Sequence, residues 1–262
     1  MGPIHPLKRY TRLKTGLQHR HKTKDQLIRQ VFHYGVLLFY PVIMSRMYRH
    51  PSVQAVQRLH RHTLARSFSS VPDLLHALVT DIEQQQTEQT LAVATWLNHG
   101  HPEYQGYATH HIPFGQLPTA DIQLAVARAL GYTNWPQMIS RQDTIDPAFE
   151  EAVDHLIRGD QEQLADCLAT NAQLIRQSSP FGHRAGLIHY LAFQGIEIWR
   201  QQVPDNVSEM ADLLLQYGAR PDQPHLIGGG RLALLRLIAD SHVLESAGQT
   251  SALLEVFSRI AD

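Results

Sequence analysis

Residues 147–170 hold two apolar stripes at helical spacing, each too short to be stable alone, and this constrains the fold more than any other feature. Phe149, Ala152, Val153, Leu156 and Ile157 recur at three and four behind Asp146-Pro147, a cap residue followed by a first-turn proline, and stop at Gly159. Asp160 is placed to cap a second helix whose Leu164, Cys167 and Leu168 share one face. Two such helices joined by Arg158-Gly159-Asp160 bury little by themselves. They require a neighbour on each open face.

The same grammar runs upstream. Pro72 opens a helix in which Leu75, Leu78, Val79 and Ile82 recur at three and four, and a second helix is expected from Glu88 to Asn98. Residues 100–118 read as an irregular loop rich in proline and glycine. Thr119 is expected to cap a helix carrying Ile122, Ala125, Val126, Ala129 and Leu130, which Gly131 ends; Trp135 is expected to cover the junction beyond it.

Charge divides the chain near residue 72. The part before it has 13 basic residues and one acidic residue, Asp25; the part after it has 10 basic and 23 acidic residues. Residues 1–30 read as a mobile basic arm, and Lys8, Arg9, Arg12, Lys14, Arg20, Lys22, Lys24 and Arg29 could neutralise phosphates of nucleic acid or anionic lipid. The apolar run 31–44 is broken by His33, Gly35 and Pro41 and is short of the roughly 20 residues of a spanning helix. Residues 47–70, with Arg and Ser but no acid, have the composition of a mitochondrial transit segment, yet they also suit a basic amphipathic helix bearing Val53, Val56 and Leu59. A single cysteine, Cys167, rules out an intramolecular disulfide and fits a reducing compartment; as part of an apolar stripe it reads as packing.

Histidine is abundant, at 17 copies. His99, His101, His110 and His111, with Glu103, could wrap a metal ion, but no H-E-x-x-H or paired C-x-x-C framework accompanies them. His19, His21, His60 and His62 lie among basic residues and read as additions to the arm. Ile227 to Arg231, "IGGGR", lacks the lysine and spacing of a phosphate cradle, and G-x-S-x-G is absent.

The stretches "GLIHYLAFQG", Gly186 to Gly195, and "LLLQYGARPD", Leu213 to Asp222, resemble the opening and closing pieces of an ankyrin repeat. The resemblance rests on Ile188-His189, Ala192, Gly195, Leu214, Leu215, Gly218 and Ala219. It departs where Gly186-Leu187 stand for Thr-Pro, and in about 11 extra residues between the two glycines. The flanking helix pairs extend it over residues 147–262, and "LPTADIQLAVARALGYTNWPQM" upstream resembles the helical segment that precedes degenerate ankyrin repeats in bacterial proteins. The resemblance implies that His189 is a structural residue holding the turn and connecting repeats.

The expected architecture is therefore all-α: a basic N-terminal extension (1–70), a small helical segment (71–142) and a short, irregular ankyrin-type stack (143–262). The resemblance implies a non-catalytic protein-interaction module; the single cysteine fits a cytoplasmic location, and no cofactor, catalytic residue or resident metal is expected from the motifs present. Mitochondrial import or membrane association through residues 1–70 is the alternative location. Expected partner contacts are Phe181, His183, Arg184, Tyr190, Trp199 and Arg200, the last two in an insertion from Ile196 to Ser208. The alternatives are a zinc enzyme built on the histidine cluster, and a tether to nucleic acid or anionic membrane through residues 1–66.

Overall fold

The computed structural model describes residues 47–112, 115–222, 225–227 and 230–259. The basic arm, the apolar run 31–44 and Gly228-Gly229 lie outside them. The fold is all-α, with two short strand pairs. No helix among the described residues is long and apolar enough to cross a membrane.

The chain enters through β1 (Met47–Arg49) and α1 (Pro51–Leu59). The Nδ1 of His50 caps α1 by accepting from the Ser52 N–H. Val53, Val56 and Leu59 are buried, as their spacing requires. Val56 and Leu59 pack with α2 (Val71–Gln85), α3 (Thr90–Gly100) and α4 (Thr119–Ala129) in one cluster around Trp96, so the boundary expected at residue 70 falls inside a core. Ser70 Oγ caps α2 through the Asp73 N–H. Thr119 does not cap α4: Pro118 occupies that position, and the Thr119 hydroxyl donates instead to Glu83 of α2.

Short α5 (Trp135–Arg141), capped by Asn134, leads into α6 (Pro147–Arg158) and α7 (Gln161–Thr170). Asp146 caps α6 as expected, its Oδ1 accepting from the Ala148 N–H, and Gly159 ends it at φ +75°. Asp160 makes no capping bond to α7; its carboxylate lies 3.5 Å from His155 Nδ1. Leu164 and Leu168 are fully buried, while Cys167 is half-buried and burial raises its thiol pKa.

Beyond α7 the chain makes tight 3₁₀ turns at Ala172–Arg176, Leu187–Ala192 and Ile198–Arg200. Within the ankyrin-like segment Leu187–Ala192 is thus a 3₁₀ turn rather than an α-helix, and these buried residues touch α6, α8 (Val207–Gln216) and α9 (Leu234–Ala239). Here His189 Nδ1 accepts from the Gly186 N–H at 3.2 Å. Strand β2 (Gln202–Pro204) pairs antiparallel with β1, Met47 opposite Pro204 and Arg49 opposite Gln202. After α8, β3 (His225–Ile227) and β4 (Gly230–Leu232) form a hairpin, and α10 (His242–Ala247) and α11 (Thr250–Ser258) close the structure.

The C-terminal elements share a second cluster, from Phe149 of α6 to Phe257 of α11. Residues 45–262 nevertheless form one compact unit, so the boundary expected at 142/143 lies within it. Part of the join is backbone to backbone. The His183 N–H donates to the Leu130 carbonyl at 3.1 Å, and a Cβ on Gly182 would lie 2.5 Å from the carbonyl carbon of Gly131. Asp143 fastens the same place, accepting from Arg184 at 2.6 Å and from Tyr132 at 3.2 Å, with Arg141 at 3.0 Å. Gly182→Ala is therefore expected to lower stability by about 1–3 kcal/mol through overpacking against backbone that has no rotamer to yield, as measured by urea unfolding.

Candidate functional site

The insertion Ile196 to Ser208 is the second join. Ile196 and Val203 belong to the C-terminal cluster, and Ile198 and Trp199 to the N-terminal one. A bend that sends neighbouring side chains to different cores leaves Glu197 and Arg200 between them. Side chains from α1 and β1 hold the bend in place: Gln57 Nε2 of α1 donates to the Trp199 carbonyl at 2.7 Å, and Arg49 Nε of β1 donates to Gln202 Oε1 at 2.8 Å.

Arg200 is 8 % exposed and meets three carboxylates. Its Nη1 donates to Glu150 Oε2 at 2.6 Å and Glu197 Oε1 at 3.1 Å, and its Nη2 donates to Asp154 Oδ1 at 3.0 Å. Glu150 and Asp154 stand one turn apart on α6, which places both within reach of one guanidinium fork. Glu197 is completely buried; it also accepts from the Tyr190 hydroxyl at 2.9 Å, and its Oε2 faces His183 Nε2 at 3.6 Å.

Three carboxylates around one guanidinium cannot all be equally stabilised. Burial pushes Glu197 upward most strongly, but the nearby Arg200 and His183 outweigh it and hold the carboxyl at about 2. Glu150 shifts the other way: burial raises it, and the attraction of Arg200 does not compensate. Burial and the Glu197 charge also raise Tyr190 well above the ordinary phenol range, so its hydroxyl remains a donor.

Phe181, Trp199 and Arg200 meet at the floor of an open groove of about 550 Å³. One wall is the segment from Gln57 to Phe68, where the Arg66 guanidinium lies 4.8 Å over the Phe68 ring; the other is α6. Arginines and carboxylates both line it.

Of the six expected contact residues, five are buried rather than exposed on a turn or helix face. Phe181 and Tyr190 are core side chains, His183 and Arg200 belong to the ionic node, and Trp199 packs 6.2 Å from both Trp96 and Phe181. Arg184 is half-buried and bound to Asp143. The placement changes because the insertion does not loop outward: its apolar residues are consumed by the two cores. Three of the six still border the groove.

The histidine cluster is dispersed. His99 Nδ1 donates to the Thr95 carbonyl at 2.8 Å, His101 lies 3.9 Å from Asp121, and the His110 and His111 rings meet edge to face. Among the described residues no three His, Cys, Asp or Glu side chains converge as metal ligands would.

Two residues of consequence escaped the sequence reading. Glu197 stands in the apolar run Ile196–Glu197–Ile198–Trp199, a lone acid whose neighbours signal burial. His60, expected as an addition to the basic arm, follows Val56 by four and so continues the apolar stripe of α1; it is fully buried.

No protein-family model matches the chain, and neither a curated protein nor a solved structure matches it. Trp199→Ala is expected to cost about 3–5 kcal/mol in urea unfolding, because it opens a void between the two cores.

Proposed function

We propose that this protein is a non-catalytic interaction module that seats a segment of a partner protein in the groove between residues 57–68 and α6. The observation that carries the reading is the groove's construction: an open, partly apolar trough floored by Phe181, Trp199 and Arg200 and held in shape by buried ion pairs. A preformed trough of this kind loses little freedom when filled. Aromatic and arginine side chains at its base are the anchor types of interface hot spots. Its lining carries Arg66, Arg158 and Arg200 against Glu150, Glu151 and Asp154, so net charge selects little and apolar fit selects more. The ankyrin-like pieces support the same reading, since repeat stacks present binding surfaces rather than catalytic centres.

The ionic node lends itself to scaffolding more than to chemistry. Tyr190 and Glu197 are sealed in the interior, where they cannot reach a substrate in the groove.

Ser67 is exposed on the groove wall, and a large side chain there would fill the trough without disturbing the core. Proteins captured from native lysate by the wild type would be identified, purified and titrated against both forms. Ser67→Trp is expected to weaken such binding by at least about tenfold, or roughly 1.4 kcal/mol, with thermal unfolding unchanged. Equal affinity for both forms would remove the groove from the account.

A further inference from the structure

The wall of the groove from Gln57 to Phe68 is fastened to the helices behind it by a buried histidine. His60 is 0 % exposed, and both of its ring nitrogens are engaged. Nδ1 lies 2.9 Å from Asp81 Oδ2 on α2, and Nε2 lies 2.9 Å from the indole Nε1 of Trp96 on α3. An indole N–H can only donate. Nε2 must therefore be the bare, accepting nitrogen, and Nδ1 carries the proton given to Asp81. The two partners fix the ring as neutral and as a single tautomer.

Protonation of this ring has a specific structural consequence. The added proton can go only on Nε2, where it would confront the Trp96 N–H at hydrogen-bonding distance, donor against donor. One of the two must move. Trp96 is pinned by contact with Trp199, whereas His60 opens a short, irregular segment that rests on the core through Thr63, Leu64 and Phe68 and is exposed at Arg61, Ala65, Arg66 and Ser67. That segment is the groove wall.

We propose that His60 is an acid-sensitive latch: protonation at Nε2 breaks its bond to Trp96, frees the 60–68 wall from α2 and α3, and alters the groove. The latch acts on the groove's shape whatever fills it, so it does not rest on the partner reading above.

The electrostatic surroundings decide which way acid acts. Asp81 of α2 is the charged side chain bearing on the ring, and it favours the charged form. Elsewhere on α2, Asp73 is bound to Ser70, His76 to the Pro72 carbonyl, and Glu83 to Thr119. On α3, His99 turns to the Thr95 carbonyl. Arg58, Arg61 and His62 on the latch's own strand of chain are exposed, and Arg200 beyond Trp199 is neutralised by its carboxylates. Burial is the largest influence and outweighs Asp81, so the pKa in the closed form is lowered from 6.5. A lowered histidine pKa means that the open form takes up the proton first. The closed state is then fully favoured above pH 6.5 and loses ground as pH falls below it.

The test is amide hydrogen exchange on the full chain, corrected for intrinsic rates, at the Leu64 and Arg66 N–H groups, which donate to the His60 and Thr63 carbonyls. Wild-type protection is expected to fall about tenfold between roughly pH 7.5 and pH 5.5, the factor that one proton gives over one pH unit below its open-state pKa. His60→Gln, which keeps one donor and one acceptor but does not titrate, should abolish the fall. Asp81→Asn should carry the loss to lower pH than in wild type, because the charge favouring imidazolium is gone. A flat wild-type profile overturns the latch, as does an unchanged fall in His60→Gln. Should His60→Gln fail to fold, an unchanged fall in His60→Asn, which does not titrate either, overturns it instead.

Discussion

The contact of the Arg200 guanidinium with Glu197, Glu150 and Asp154 is the interaction on which the rest of this structure depends. It lies where two hydrophobic clusters meet, and it ties the insertion that enters both to α6. Apolar contact could hold each cluster together without it. What the ion pairs add is direction: a planar fork accepts carboxylates in few orientations, so the Ile196–Ser208 segment has one way to lie against α6. Burying such charges is costly, and their presence argues for a fixed geometry rather than for stability alone.

From that geometry follows the groove. Its floor is the exposed edge of the node and of Trp199, one wall is the helix that supplies two of the carboxylates, and the other is the segment latched by His60. Two polar anchors of different kinds therefore define one concavity. The Arg200 node is held by permanent charges, while the His60 latch depends on a proton. The rigid side of the groove and its releasable side are thereby distinct.

The helices were legible because their stripes and punctuation agree: Asp146-Pro147 and Gly159 bound α6 in the structure as in the sequence, and Val53, Val56 and Leu59 mark a buried face. The caps at Thr119 and Asp160 were misassigned because a hydroxyl or carboxylate near a helix start has other partners available, here Glu83 and His155. Gly186–Gly195 carries ankyrin-like residues yet winds as a 3₁₀ turn, a choice made by packing against α6, α8 and α9. For the site, sequence brought forward Phe181, Trp199 and Arg200 but placed them outside. Composition marks residues that make strong contacts; it does not mark whether the contact is made within the chain or beyond it. His60 and Glu197 were only half legible for a related reason: their neighbours signal burial, but the partners that make it tolerable lie 21 and 36 residues away in one case and at His183, Tyr190 and Arg200 in the other.

A double-mutant cycle on Arg200 and Glu197, read by urea unfolding near neutral pH, tests the node most directly. Arg200→Met alone strands buried carboxylates and should cost about 3–5 kcal/mol. In a Glu197→Gln background the same change should cost less, giving a coupling of about 1–3 kcal/mol. Additivity within about 0.5 kcal/mol would mean that the two side chains are merely neighbours, and that something other than their pairing sets the join.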